Sequence, residues 1–104
     1  MIIYNETYVV NPEIHEQWFA WIKANHIPSV MGTGFFNAYK ILTVLNSPNE
    51  GVTYCVQFIT DVIEKYTQFS EQHLQQIHII HNQQFENEFV LFNSLMQQIE
   101  ESTI

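Results

Sequence analysis

The order of segments along this chain leaves few folds open to it. An alternating strand comes first, followed by an amphipathic helix, two strands joined by a Pro/Gly turn, a second amphipathic helix and a last alternating strand. Ile2–Val10 is rich in Ile, Val, Thr and Tyr, with Ile3 and Val9 on one side of a two-residue period and Tyr4, Tyr8 and Val10 on the other. Asn11 then stands where an N-cap accepts from first-turn amides, Pro12 suits the first helical position, and Glu13 complements the helix dipole. Ile14, Trp18, Trp21 and Ile22 come next at helical spacing. Pro28 predicts a helix end near Asn25 to Ile27, because the residue before a proline avoids the helical region. Residues 29–34 read as a connecting loop whose glycines permit positive φ.

Residues 35–45 read as a long second strand and Val52–Thr60 as a third, joined through the turn-forming residues 46–51 into a hairpin. Val52, Tyr54, Val56 and Phe58 share one face of the third strand. Asp61 with Glu64 has the form of a capping box. It opens a helix over 62 to about 83 that turns Ile63, Tyr66, Phe69, Leu74, Ile77 and Ile80 toward the sheet. The last strand, about 87–95, alternates Phe89, Leu91 and Leu95 against Val90, Phe92 and Met96, and the polar tail 97–104 is expected to fray or add a short helix. The β-α-β-β-α-β order is the ferredoxin-like plan. The expected fold is therefore α+β, one domain over 1–104 with a four-stranded antiparallel sheet and two helices on one face.

Two helices cover only one side of such a sheet, yet the strands are apolar on both. A second copy pressed sheet against sheet covers the other side, so a homodimer is expected. Composition agrees: 46% of the 104 residues are hydrophobic and 14% aromatic, against 13% charged, about half the usual share. The formal charge is −8, carried against three lysines (Lys23, Lys40, Lys65) and no arginine. That balance excludes the basic footprint that nucleic acid and anionic membranes require. The third strand also lacks the basic start and paired aromatics of an RNA recognition motif, which shares this element order. No apolar run approaches the ~18 residues of a membrane span, and the start has no signal-peptide pattern. The lone Cys55 falls in a strand as an apolar filler, which suits a reducing cytoplasm.

Five histidines stand out in so uncharged a chain: His15, His26, His73, His78 and His81. His78 and His81 are three residues apart, a spacing that two metal ligands use, but no third ligand is forced by the pattern. They are read as hydrogen-bonded helix histidines, with no metal and no cofactor. His15 is read as a solvated first-turn residue. His26 falls at the expected helix end, where an imidazole complements the C-terminal dipole. Its rival role is a general base at a cavity mouth walled by Trp18, Trp21, Met31 and Phe36. No Gly-x-Ser-x-Gly elbow occurs, and Gly32-Thr33-Gly34 precedes a strand rather than a helix, so it is no phosphate loop.

The stretches His15-Glu16-Gln17-Trp18-Phe19-Ala20-Trp21, His26-Ile27-Pro28 and Met31-Gly32-Thr33-Gly34-Phe35-Phe36 resemble an uncharacterised family of small bacterial proteins, domain-of-unknown-function family 4286. The likeness continues through Gly51-Val52-Thr53-Tyr54, Gln57-Phe58, His81, Phe85, Phe89-Val90, Phe92 and Leu95, nearly the whole chain. Relatives tend to carry basic residues near Gln84 and Asn93 that are missing here, which removes the anchor for any anionic ligand they bind. The resemblance implies a ferredoxin-like protomer of the dimeric α/β-barrel superfamily, paired through its sheets, and no established activity. That superfamily includes cofactor-independent monooxygenases, haem-degrading enzymes, lactone isomerases and ligand-sensing domains, several with a pocket between helices and sheet. Carried over, the resemblance makes His15, Trp18, His26, Met31 and His81 the pocket candidates, with none assigned as catalytic.

Three functions stay open on this reading. The first is a homodimeric domain without demonstrated activity that holds an apolar or aromatic small molecule. The second is a monooxygenase-like or isomerase-like enzyme using a histidine, and the third an interaction module with a filled core. An apolar cavity beside His26 or His81 with an unpaired imidazole favours the enzyme. Histidines wholly engaged by backbone, with packed tryptophans, favour the module.

Overall fold

The computed structural model describes residues 1–48 and 50–103. Strand β1 (Ile2–Val10) lies inside the sheet, paired antiparallel with both β3 (Val52–Thr60) and β4 (Phe89–Gln97). Strand β2 (Ala38–Thr43) pairs with the outer side of β3, giving the order β2-β3-β1-β4. This is the ferredoxin-like arrangement the element order predicts. Expected positions in the turn and tail that fall on Asn49 and Ile104 lie outside the described residues.

Two helical rods cross one face. The first runs as α1 (His15–Trp21), a π-helical turn over Ile22–His26 and α2 (Ile27–Met31). The second runs as α3 (Ile63–Phe69), a π-helical turn over Ser70–Leu74 and α4 (Gln75–Gln84). The first rod corrects the expected stop at Asn25 to Ile27. The chain passes through Pro28 because the preceding turn is widened: the Ile27 N–H donates to Ile22 O, five residues back. The loop is correspondingly short. The Gly32 N–H closes the helix on Pro28 O at 2.8 Å, and Gly34 alone of the two glycines takes a positive φ, +82°.

Other boundaries move for physical reasons. Asn11 caps a turn rather than the helix: its Oδ1 accepts from the Glu13 N–H at 3.1 Å, and α1 begins four residues later. The Asp61–Glu64 capping box does not form; Asp61 Oδ1 takes the Lys65 ammonium at 3.0 Å instead. Strand β2 is shorter than 35–45 because Phe36 leaves the sheet line to pack, buried, against Phe69 at 4.9 Å and Phe58 at 5.6 Å. Strand β4 starts at Phe89, after Asn87 turns the chain at φ +65°.

The core lies between rods and sheet. Tyr4, Tyr8 and Val10 of β1 and Val56 and Phe58 of β3 meet Trp18, Ile22, Ile27, Val30, Phe69 and Phe85 there. The opposite sheet face is a mixture. A polar row Lys40–Gln57–Asn5–Ser94 runs across it in register, tied by a Gln57-to-Asn5 hydrogen bond of 3.2 Å. Beside that row Leu42, Val90, Phe92 and Met96 are exposed. Among the described residues no helix is long and apolar enough to cross a membrane.

Trp18 has no solvent exposure and stacks on Tyr54 at 5.1 Å. Trp18→Ala is therefore expected to lower unfolding free energy by about 3–5 kcal/mol in a denaturant titration. A loss under ~1 kcal/mol would show that the ring is not a packing element.

Candidate functional site

The period-2 geometry of β1 turns Tyr4, Glu6 and Tyr8 together into the core. Glu6 is fully buried among aromatic and imidazole rings, and its two oxygens receive four donors. Tyr8 OH (2.9 Å) and His26 Nε2 (2.7 Å) reach Oε1, while Tyr4 OH (3.0 Å) and His78 Nε2 (3.3 Å) reach Oε2. Burial opposes ionisation of the carboxyl. The His26 charge, then hydrogen bonds from His26, His78 and Tyr8, outweigh it and hold Glu6 well below the usual carboxylate range. Burial, and next the Glu6 charge, push the Tyr4 and Tyr8 phenols up, so both stay protonated donors.

His26 reaches Glu6 because of the π turn in the first rod. Counting inward positions from Trp18 at 3.6 residues per turn leads past Ile22 to Asn25 and Ser29. One extra residue in the wide turn rotates the rest of the rod by about 100°, so that His26 and Val30 are buried instead. The second rod repeats the device. From Phe69 the regular count leads to Ile80, but after its π turn Leu74, Ile77, His81 and Phe85 face inward and Ile80 is exposed. Ile63 also lies at the exposed margin, against the sequence expectation.

His81 stacks on Phe89 at 4.3 Å and on Trp21 at 5.2 Å, and its Nε2 accepts the Trp18 indole N–H at 2.9 Å. Burial, then the charge of His26, push its pKa down to about 3. The His26 and His81 rings are 5.3 Å apart, and the Nδ1 of each is buried without a partner. A cleft of about 310 Å³ between the rods is lined by Trp21, Asn25, His26, Ser29, Ile77, Ile80 and Gln84. A second hollow of about 320 Å³, against β4, is lined by His78, His81, Asn82, Phe89 and Leu91.

Of the five candidates, the structure thus brings Trp18, His26 and His81 together. His15 pairs through Nδ1 with Tyr54 OH at 2.9 Å near the start of α1, and Met31 packs against the core at the end of α2. His26 does not cap a helix end, since the helix continues past it. His78 and His81 direct their Nε2 atoms to Glu6 and Trp18 rather than to one point. Glu6, Tyr4, Tyr8 and His78 are the residues the sequence reading missed as a site. The signal was a carboxylate at the middle of an apolar strand, two residues from a tyrosine on either side.

A four-stranded antiparallel sheet under two helices with an acid–base network between them defines a ferredoxin-like α+β protein. The chain belongs to the family described as Domain of unknown function (DUF4286), whose model matches residues 1–99. No curated protein matches it in sequence. Its fold is similar to that of an ethyl tert-butyl ether D (EthD) family protein from Bacillus halodurans C-125, at 14% identity and TM-score 0.64 over 95% of this chain and 100% of that one. It is similar also to SnoaB, a cofactor-independent oxygenase from Streptomyces nogalater (11%, TM-score 0.58, 96% and 94% covered). A dimeric ferredoxin-like protein of unknown function from Thermobifida fusca YX is a third (10%, TM-score 0.51, 91% and 92%).

Acid should unfold this protein in two overlapping steps. His81 takes a proton near 6.5 in the unfolded chain but only near 3 when folded, so stability falls as pH drops between those values. Glu6, lowered on folding, contributes stability that is lost as pH falls below the ordinary glutamate range. Tryptophan fluorescence in urea should therefore show the midpoint declining from about pH 6.5 downward, and a midpoint constant to about pH 4 would contradict this. Glu6→Gln, which leaves two imidazoles without their carboxylate, should cost about 3–5 kcal/mol at neutral pH in the same titration.

Proposed function

We propose that this protein is a cytoplasmic homodimer that binds a small, mainly apolar molecule in the cleft between its two rods and moves a proton at His26 Nδ1. The observation that carries this reading is His26 itself. One nitrogen is fixed on an ionised Glu6 at 2.7 Å, while the other is buried, partnerless and part of a residue that lines the cleft. An imidazole oriented by a carboxylate is the ordinary arrangement of a general base, because the carboxylate sets the tautomer and stabilises the cation formed when the proton arrives. A cleft of this volume suits a ligand of one or two rings, with Trp21, Ile77 and Ile80 as apolar contacts and Asn25, Ser29 and Gln84 as polar ones. That the same fold serves a cofactor-independent oxygenase supports chemistry done by side chains alone. The packed Trp18 meets one condition of an interaction module, but unpaired imidazole nitrogens do not.

The homodimer reading rests on the outer sheet face, where Leu42, Val90, Phe92 and Met96 are exposed together. The dimeric fold neighbour supports it. A reducing compartment suits the single free Cys55.

Two measurements test these points. Titration with phenol, benzoate and indole, followed by NMR, should shift signals of Trp21, His26, Ile77 and Ile80; no response to any of them overturns the cleft as a ligand site. Sedimentation should give a dimer that Phe92→Glu converts to a monomer, whereas a monomeric wild-type protein overturns the sheet interface.

A further inference from the structure

The two edges of the sheet are built differently. Strand β2 is six residues long and carries Lys40, the short and charged form that discourages further pairing. Strand β4 is nine residues long, with no proline, no charge and an unbroken register against β1. The Gln98 N–H donates to Met1 O and the Asn11 N–H to Glu88 O, each at 2.9 Å, so the even-numbered residues of β4 are the ones that bond to β1. The N–H and C=O groups of Phe89, Leu91, Asn93, Leu95 and Gln97 therefore point away from the sheet. Among the described residues β4 pairs with β1 alone. The side chains of the same five residues turn to the helical side, where two hollows take part of their lining from them. The hollow of about 320 Å³ has His78, Asn82, Phe89 and Leu91 in its wall, and one of about 520 Å³ has Ile63, Glu64, Leu95 and Gln97.

Acidic residues flank this uncharged strand, Glu86 and Glu88 before it and Glu100 and Glu101 after it. They select what can pair. In the register that lays the whole strand antiparallel on a second copy, Phe89 comes opposite the partner's Gln97 and Glu86 opposite the partner's Glu100, so like charges face each other. We propose that the edge of β4 takes, as a fifth strand, an extended segment of another protein that is apolar at alternate positions and rich in lysine or arginine at both ends. Its main chain pairs with the five outward-facing residues. Side chains of an added strand stand beside those of β4 on the same face, so every second one meets the two hollows. The basic ends meet Glu86 and Glu88 on one side and Glu100 and Glu101 on the other, in a chain whose formal charge is −8. A strand added beside β4 leaves the outer sheet face to the homodimer, and the cleft between the rods is not involved.

The probe is a peptide of alternating valine and threonine with paired lysines at each end, and the readout is amide hydrogen exchange by NMR. In the protein alone the N–H groups of Phe89, Leu91, Asn93, Leu95 and Gln97 should exchange fast, and the peptide should slow them about tenfold or more. The same peptide ended by glutamates should leave them unchanged. Replacing Glu86 and Glu100 together by glutamine should weaken binding about fivefold, as expected for two exposed charge pairs. Leu95→Pro removes an outward N–H without touching the bonds to β1 and should abolish binding, while Leu95→Ala should keep it. No protection by the lysine-ended peptide overturns the docking edge, and equal protection by both peptides overturns the basic partner. Protection that grows with protein concentration in the absence of peptide assigns the edge to a second copy and overturns the proposal. A dimer that binds no peptide leaves the sheet-face contact standing.

Discussion

One carboxylate determines how the layers of this protein fit together. Glu6 stands at the centre of β1, which is itself inside the sheet, and an ionised group there loses its water entirely. Leaving it uncompensated would cost several kcal/mol, so donors have to come to it. Two are supplied by its own strand, because Tyr4 and Tyr8 share its face. The other two, His26 and His78, come one from each helical rod. The carboxylate is therefore the point at which sheet, first rod and second rod are all tied by directed bonds. Apolar packing elsewhere in the core tolerates sliding that these four bonds do not.

Bringing those donors inward conflicts with regular helical geometry, and the π turns resolve the conflict. A rod in phase with Trp18 would present Asn25 to the core, and one in phase with Phe69 would present Ile80. Each rod widens one turn and so moves the later inward positions by one residue, to His26 in the first and His81 in the second. The first widened turn also leaves room for Pro28, which has no N–H to give and would crowd a regular turn. A wide turn has poorer hydrogen-bond geometry than the α-helix it interrupts. Both rods accept that cost in the same layer, and what both gain is an imidazole beside the other imidazole.

These features also explain what the sequence disclosed and what it concealed. Strand-forming composition, turn residues and helical spacing together placed all four strands and both helices, even though β1 and β4 are apolar on both sides. They misjudged where the first rod stops, since the rule for prolines presumes a regular preceding turn. The same proline rule assigned His26 to a helix end, and Ile80 was assigned inward because a π turn is a phase slip of one residue that a single count at 3.6 residues per turn averages over. The slip was nevertheless present in the pattern, in the spacing from Ile22 to Ile27 and Val30 and from Phe69 to Leu74 and Ile77. Glu6 was passed over because a lone acid in a strand resembles a solvated residue until its face is known. Its companions on that face, Tyr4, Tyr8 and Val10, already identified it as inward.

The question left by the geometry is why a charge is kept where an apolar side chain would pack. Stability does not require it: replacing a buried ionic cluster by well-fitted apolar groups is often neutral or favourable. Tyr4 and Tyr8 could be phenylalanines, and His26 and His78 leucines, if holding the rods to the sheet were the whole task. What apolar groups cannot do is fix a tautomer. With Glu6 beneath it, His26 Nε2 is held as a donor; with Trp18 beside it, His81 Nε2 is held as an acceptor. Two rings of the same chemistry, in one layer, are thus given opposite characters by their neighbours. The network around Glu6 is best understood as the apparatus that holds one of those characters in place, at a cost in stability that a purely architectural core would not carry.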